Sequence, residues 1–378
     1  NSMYNQNNNI NASTNYNMNS QYTQPTNYNS MYNQYNAIPK KSNKTLYTCL
    51  GIMVATLVVV VALIVAYNKD DVYFSREDTN GYSGGSSTAV KNETIINTDR
   101  TYYMTVNDKQ TAYNKIKEDS VSQKNTCSKE IIEIEERIIN NYNITAVNLC
   151  EMDLDYAKEL EQVVKRIYED FPNARGHLTN LTLTNVPANQ GYIAAFQVFH
   201  FFITPKNQEL PVVTKNSILL NTKYFLNSNY MISSMQDATR RGHFPPNTTR
   251  TSAVAHEFGH YLSFVATMKK YNVNSILILD DNNKEKIYAL VIDWSKGTHS
   301  LDLITTAYKN YQKNYNDYNT SFLDFRASIS GYAVAKDEEG NYIYDETIAE
   351  AFHDYYLNGN SAKPASKEIV AELNRRLS

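Results

Sequence analysis

The chain has 378 residues, enough for one large domain or two smaller ones. Its formal net charge of −3 at pH 7 is close to neutral, which argues against nucleic acid as a partner. Residues 1–45 contain no Asp or Glu and are dominated by Asn, Tyr, Gln and Ser. Such a segment cannot bury enough apolar surface to offset chain entropy, so its composition predicts a disordered tail.

Residues 46–67 contain no charged side chain. As a helix this stretch would span about 33 Å, enough for the hydrocarbon layer of a bilayer, so it predicts a single transmembrane helix. Lys40, Lys41 and Lys44 precede the stretch, while Lys69, Asp70 and Asp71 follow it. The positive-inside bias then predicts a single-pass membrane protein with a cytoplasmic tail and an extracytoplasmic remainder. Residues 68–98 include a Gly/Ser-rich run, which is typical of a flexible linker.

Residues 99–175 have the periodicity of helices, predicted at 108–142 and 153–169. Cys127 and Cys150 are the two cysteines beyond the apolar stretch. The sequence leaves open whether they form a disulfide or stay as thiols.

Residues 176–378 change to strand-like patterns, with strands predicted at 181–184, 192–203, 217–221 and 286–292. Helical patterns follow at 300–318 and in a last helix for which Ser366 is a candidate N-cap. The order of helices, sheet and further helices predicts an α+β fold.

The sequence His256-Glu257-Phe258-Gly259-His260 is an H-E-x-x-H motif within a helical pattern. Two histidines four residues apart project from one helix face and can bind one Zn²⁺. Glu257 is offset from them, so it can accept a proton from a metal-activated water without binding the ion. Gly259 costs about 1 kcal/mol in a helix interior. Its presence suggests that another backbone or the substrate comes close.

A catalytic zinc site needs a third protein ligand and an open position. The best source is the helix predicted at 345–354, where Glu346, Glu350 and His353 share one face. Either carboxylate could bind the metal. A closed structural site, with His353 as a fourth ligand, is a further alternative. The remaining histidines show no ligand spacing and are interpreted as ordinary residues: His177, His200, His243 and His299.

These motifs resemble those of the gluzincin metallopeptidases, and most of all the catalytic domain family of anthrax lethal factor. That group pairs H-E-F-G-H with a Ser-Gly-Tyr-Ala segment and a Glu-x-x-Ala-Glu-Ala-Phe helix, which match residues 330–333 and 346–352. The resemblance implies a zincin-like fold in which His256, His260 and Glu346 bind zinc. It also implies that Glu257 is the general base, that Glu350 lies behind the ligands and that Tyr332 hydrogen-bonds the oxyanion.

The chain departs from the family pattern between Tyr332 and the Glu helix, where residues 337–341 are inserted. Tyr342 or Tyr344 could therefore take the role of Tyr332. We expect a membrane-anchored zinc endopeptidase that hydrolyses peptide or protein substrates. The alternative is a surface adhesion or assembly protein whose peptidase-like domain binds a partner without cutting it.

Overall fold

The computed structural model describes residues 95–98, 101–118, 127–186, 192–203, 211–274, 277–337 and 340–378. The chain divides into two compact units, Asn1–Ser86 and Ser87–Ser378, and all of these residues belong to the second. The predicted tail at 1–45 and the apolar stretch at 46–67 lie outside the described residues, as does most of the predicted linker.

The described strands form one mixed sheet in the order β1-β2-β5-β6-β4-β3, with β7 pairing β6. Its strands are β1 (Ile95–Thr98), β2 (Thr101–Val106), β3 (Ala146–Asn148), β4 (Asn180–Thr184), β5 (Ala194–Ile203), β6 (Val213–Asn221) and β7 (Leu277–Ile278). Strands β3, β4 and β6 are parallel, whereas β5 runs antiparallel to β6. The sequence predictions for β4, β5 and β6 are confirmed to within a few residues.

Helices pack on the sheet and make up most of the chain after β6. They are α1 (Lys109–Glu118), α2 (Lys129–Tyr142), α3 (Leu154–Asp170), α4 (Thr222–Phe225), α5 (Ser228–Arg240), α6 (Ser252–Lys270), α7 (Lys284–Ser295), α8 (Thr298–Tyr315), α9 (Phe322–Ala327), α10 (Tyr344–Asn358) and α11 (Pro364–Leu377). A disulfide joins Cys127, just before α2, to Cys150, just after β3.

Helix α6 lies at the centre of the fold and carries the H-E-x-x-H motif. It packs against β5 and β6 on one side and against α10 and α11 on another. Residues Ala253–Ala266 are all buried, so apolar side chains surround the helix on every face. One core joins α2 and α3 to α6, α10 and α11. The predicted helical region 99–175 therefore packs in the same core as the predicted catalytic region.

The strand predicted at 286–292 is wrong, because these residues lie within α7. A short run rich in β-branched residues does not by itself separate a strand from a helix. The buried positions Ile287, Leu290, Val291 and Trp294 recur at helical spacing once the window includes the tryptophan.

The N-cap assigned to Ser366 is also wrong. Helix α11 begins two residues earlier at Pro364, and Ser366 is buried in its first turn. Proline suits the start of a helix, since its missing N–H would have no helical partner there.

The prediction of a transmembrane helix behind the α+β domain is corrected. In the part of the chain that the structure describes, no helix combines the length and the apolar character that a bilayer crossing requires. Helix α6 has 19 residues but carries two histidines, a glutamate and two lysines. The described residues form a mixed α+β fold, and this finding contradicts the predicted single-pass membrane localisation.

Candidate metal centre

Helices α6 and α10 bring three ligand atoms together. The Nε2 atoms of His256 and His260 lie 3.1 Å apart. Glu346, in the first turn of α10, places its Oε2 atom 3.2 Å from the first nitrogen and 3.4 Å from the second. All three side chains are buried, with at most 5% of each residue exposed.

This triangle has the dimensions that a metal ion needs. Tetrahedral zinc with bonds of about 2.0–2.1 Å spaces its ligand atoms about 3.3 Å apart. The observed separations of 3.1–3.4 Å match that spacing. A nitrogen–nitrogen–carboxylate set is among those that zinc hydrolases use. This buried His/Glu group can therefore hold a metal ion.

Each histidine has a carboxylate behind it. The Nδ1 atom of His256 lies 2.7 Å from Oε1 of Glu350, and Nδ1 of His260 lies 2.5 Å from Oδ2 of Asp345. A carboxylate on Nδ1 holds the proton there, so Nε2 keeps its lone pair for the metal. The family resemblance implied that Glu350 lies behind the ligands, whereas no sequence pattern indicated a role for Asp345, which directly precedes Glu346.

The segment Ser330–Ala333 is hydrogen-bonded to Glu350, the carboxylate that lies behind His256. The hydroxyl of Ser330 donates to Oε2 of Glu350 at 2.6 Å and accepts from the backbone N–H of Ala333 at 3.1 Å. Burial raises the pKa of Glu350, but His256 and His353 lower it to about 2. Glu350 is therefore a carboxylate held in place from both sides.

Three carboxylates, those of Glu257, Glu346 and Glu350, act on His256. Burial lowers the pKa of His256, but hydrogen bonds to Glu346 and Glu350 and the charge of Glu257 raise it to about 10. The carboxylates thus stabilise a proton on the imidazole when no metal is present. A divalent cation satisfies the same carboxylates and displaces that proton.

His353 lies behind Glu350 rather than beside the three ligand atoms. Its Nδ1 is 3.6 Å from Oε1 of Glu350, and its ring centroid is 6.0 Å from that of His256. These three residues form a second group that could hold an ion. That group reaches His256 through Nδ1 and leaves out His260, so the first group fits the H-E-x-x-H motif better.

Glu257 faces the sheet. Its Oε2 accepts a hydrogen bond of 2.6 Å from the backbone N–H of Phe196 in β5. Its neighbour His256 is a member of the metal group, and both residues line the same cleft. That position suits a general base, which must reach both a water at the metal and the group that leaves.

Three tyrosines were candidates for an oxyanion donor. The hydroxyl of Tyr332 donates to Oε1 of Glu346 at 3.1 Å. The rings of Tyr342 and Tyr344 pack instead on the guanidinium of buried Arg326, 4.7 and 4.6 Å from it. Of the three, Tyr332 has the hydroxyl hydrogen-bonded to a candidate metal ligand.

A cleft of about 700 Å³ opens onto the candidate metal group. His243, which was predicted to be an ordinary histidine, lines this cleft. Its ring centroid lies 4.6 Å from that of Tyr332. Burial lowers the pKa of His243. Its position depends on a loop that contacts Gly331, a pairing that no local sequence pattern indicates.

No protein-family model, curated protein or solved structure matches the chain. The functional assignment therefore depends on the site itself.

Proposed function

We propose that this protein is a zinc-dependent peptidase that binds its metal through His256, His260 and Glu346. The observation that carries the proposal is the triangle of ligand atoms, 3.1–3.4 Å apart, on the wall of an open cleft. A structural zinc site is closed by four protein ligands, whereas a catalytic site keeps one position open.

The closed-site alternative requires His353 as a fourth ligand. His353 lies on the Nδ1 side of His256, behind Glu350, and belongs to the other candidate group. The cleft supports an open position on the Nε2 side instead, where solvent or substrate can reach the metal.

When bound, zinc would supply a Lewis acid that polarises a peptide carbonyl and acidifies water. Glu257 would take the proton of the attacking water and deliver it to the departing amine. The Phe196 N–H fixes one carboxylate oxygen of Glu257, so the carboxylate is already oriented before substrate arrives. Such preorganisation lowers the reorganisation cost in the transition state.

Tyr332 and His243 line the cleft next to the candidate metal group. The Tyr332 hydroxyl rests on Glu346 and could turn toward negative charge that develops on the substrate oxygen. The imidazole of His243 packs at a tilt against the phenol ring and fixes its orientation. We assign Tyr332 the role of oxyanion donor and His243 that of its support.

The direct test loads the purified full chain with zinc and measures metal stoichiometry and cleavage of a mixed peptide library. We expect one zinc per chain and chelator-sensitive hydrolysis. Glu257→Gln should keep the zinc but lower the cleavage rate by about 10²-fold or more. Glu368→Gln, in α11 and outside the cleft lining, is a matched control that should cleave at the wild-type rate.

Two results would contradict the proposal. Full activity in Glu257→Gln would show that Glu257 is not the general base. Tight zinc binding without cleavage of any peptide would favour the rival interpretation, a peptidase-like domain that binds a partner without cutting it.

A further inference from the structure

Strand β5 has two neighbours, but they do not cover the same length. It pairs with β6 from Ala194 to Phe201. On its other side β2 begins only at Thr101, which pairs with Val198. Among the described residues, Ala194–Gln197 therefore has no strand on that outer side. We call these four residues the open edge.

The open edge faces the candidate catalytic group. Ala194, Ala195 and Gln197 line the cleft. The Phe196 N–H points away from β6 and donates to Glu257, whereas the carbonyl of Ile193, three residues earlier, accepts from β6. Successive residues of a strand direct their main-chain groups to opposite sides. An extended peptide that adds to a sheet edge gains main-chain hydrogen bonds. Because Glu257 holds the Phe196 N–H, a substrate backbone along the open edge would use the other outward main-chain groups of Ala194–Gln197.

Strand β2 closes the open edge at one end. The Tyr102 hydroxyl accepts a 2.8 Å hydrogen bond from Nε2 of Gln197, and its ring stacks on Phe199 at 5.1 Å. Thr101 is only 3% exposed. These contacts hold the start of β2 in line with the open edge, so β2 blocks one end of the space beside Ala194–Gln197. We call the start of β2 the wall.

The wall lies close to the reaction centre. The N–H of Phe196 binds Glu257, and Val198 pairs with Thr101. These two positions of β5 are two residues apart. Two residues of strand correspond to about 7 Å. Only about two substrate residues fit between the general base and the wall.

Building on the zinc-peptidase function proposed above, we propose that β2 limits the amino-terminal side of the substrate to about two residues. Antiparallel pairing is slightly more stable per residue than parallel pairing. A substrate antiparallel to β5 runs with its amino end toward Val198 and therefore toward Thr101. The enzyme would then cut peptides close to their amino ends, while the carboxyl side extends past Ala194 without meeting β2.

The test uses the zinc-loaded full chain and two series of peptides that share one cleavable bond. The first series carries one, two, three, four or six residues on the amino side, with acetylated ends so that terminal charge plays no role. The second series varies the carboxyl side in the same way and serves as the matched control. We expect kcat/KM to fall at least tenfold between two and four residues on the amino side, with no such fall on the carboxyl side.

A variant tests whether the start of β2 sets this limit on the amino side of the substrate. Tyr102→Ala removes the ring that stacks on Phe199 and the bond to Gln197, so it should reduce the tenfold penalty for long amino sides. Thr105→Ala, farther along β2 and outside the cleft lining, should keep the penalty. Melting temperatures of both variants show whether the fold is retained.

Equal rates for two and six amino-side residues in the wild type would overturn this inference while leaving the peptidase proposal intact. A limit on the carboxyl side alone would overturn it too, because the substrate would then run parallel to β5. Failure to cleave any peptide in either series would instead contradict the proposed function, and this inference with it.

Discussion

A Cβ atom on Gly259 would lie 2.7 Å from the Cα of Ala349 and 3.1 Å from the Cβ of Phe352. Helices α6 and α10 therefore approach closely at the one position of the motif that has no side chain. The glycine at position 259 predicted that another backbone or the substrate comes close there. The close neighbour is the backbone of α10 at Ala349. This approach sets how far Glu346 stands from the two histidines.

Gly259→Ala should separate the two helices. Real Cβ atoms almost never approach another atom within 3.0 Å, so α10 must shift. We expect a loss of about 1–3 kcal/mol in the free energy of unfolding and at least a tenfold loss of zinc affinity. Denaturant unfolding and zinc titration measure the two effects. Ser263→Ala, one turn along the same helix, should leave zinc affinity at the wild-type value. Unchanged affinity in Gly259→Ala would mean that the helix spacing does not set the metal geometry.

Glu346 and Glu350 should differ in their effect on the metal. Glu346→Gln removes a charged ligand atom, so zinc binding should fall below detection in a micromolar titration. Glu350→Gln keeps all three ligand atoms and weakens only the support of His256, for which the expected loss is about 10–100-fold. Competition with a chelating dye measures both. If Glu350→Gln proved the more damaging change, the ion would belong to the group with His353.

Asp345→Asn tests the support of His260. The amide can still accept from Nδ1, but it lacks the negative charge that raises the basicity of the ligand. We expect zinc affinity to fall about 10-fold or more while the folded structure persists. Circular dichroism checks the fold, and Asp324→Asn in α9 is a control outside the site. A variant that binds zinc like the wild type would show that the pairing is only structural.

Tyr332→Phe removes the hydroxyl that donates to Glu346 and keeps the ring that packs against His243. Because an oxyanion donor acts in the transition state, kcat should fall by about 10²-fold with little change in KM. Tyr342→Phe and Tyr344→Phe should each have a smaller effect, since their rings pack on Arg326. Steady-state kinetics on one peptide substrate rank the three. A larger loss in either of the other two variants would move the role to that residue.

Buried His299 predicts acid sensitivity at a residue outside the cleft lining. The residue is 1% exposed, neither ring nitrogen has a hydrogen-bond partner, and burial lowers its pKa to about 4. The unfolded chain binds the proton near pH 6.5, so the contribution of neutral His299 is complete above that pH. It is lost as the pH falls toward 4, up to roughly 3 kcal/mol.

His299→Gln removes the titrating group at the same position. Urea unfolding at several pH values between 4 and 7 should show a smaller acid-dependent loss of stability in this variant than in the wild type. Identical pH dependence in the two proteins would mean that other groups, such as buried His200, account for the acid loss.

Much of the metal group follows from local sequence pattern. Histidines four apart share a helix face whatever surrounds the helix, so the positions of His256, Glu257 and His260 on α6 were predictable. The same holds for the helix that carries Glu346 and Glu350, because apolar residues repeat along it at helical spacing.

The remainder depends on contacts between distant segments. Asp345 reaches His260 only because α10 lies against α6 at one particular height, which the approach at Gly259 sets. The pairing of β2 with β5 joins residues almost a hundred positions apart, and no local period encodes it. The strand predicted within α7 was wrong for another reason, since a short window with six apolar residues fits either period.

Asp345, Glu346 and Glu350 all belong to one stretch of six residues at the start of α10. A single displacement of that helix would remove a ligand and the partners of both imidazoles in one movement. For the proposed peptidase, docking of α10 and assembly of the metal group would therefore be one event. Metal occupancy would then report directly on whether this helix is seated.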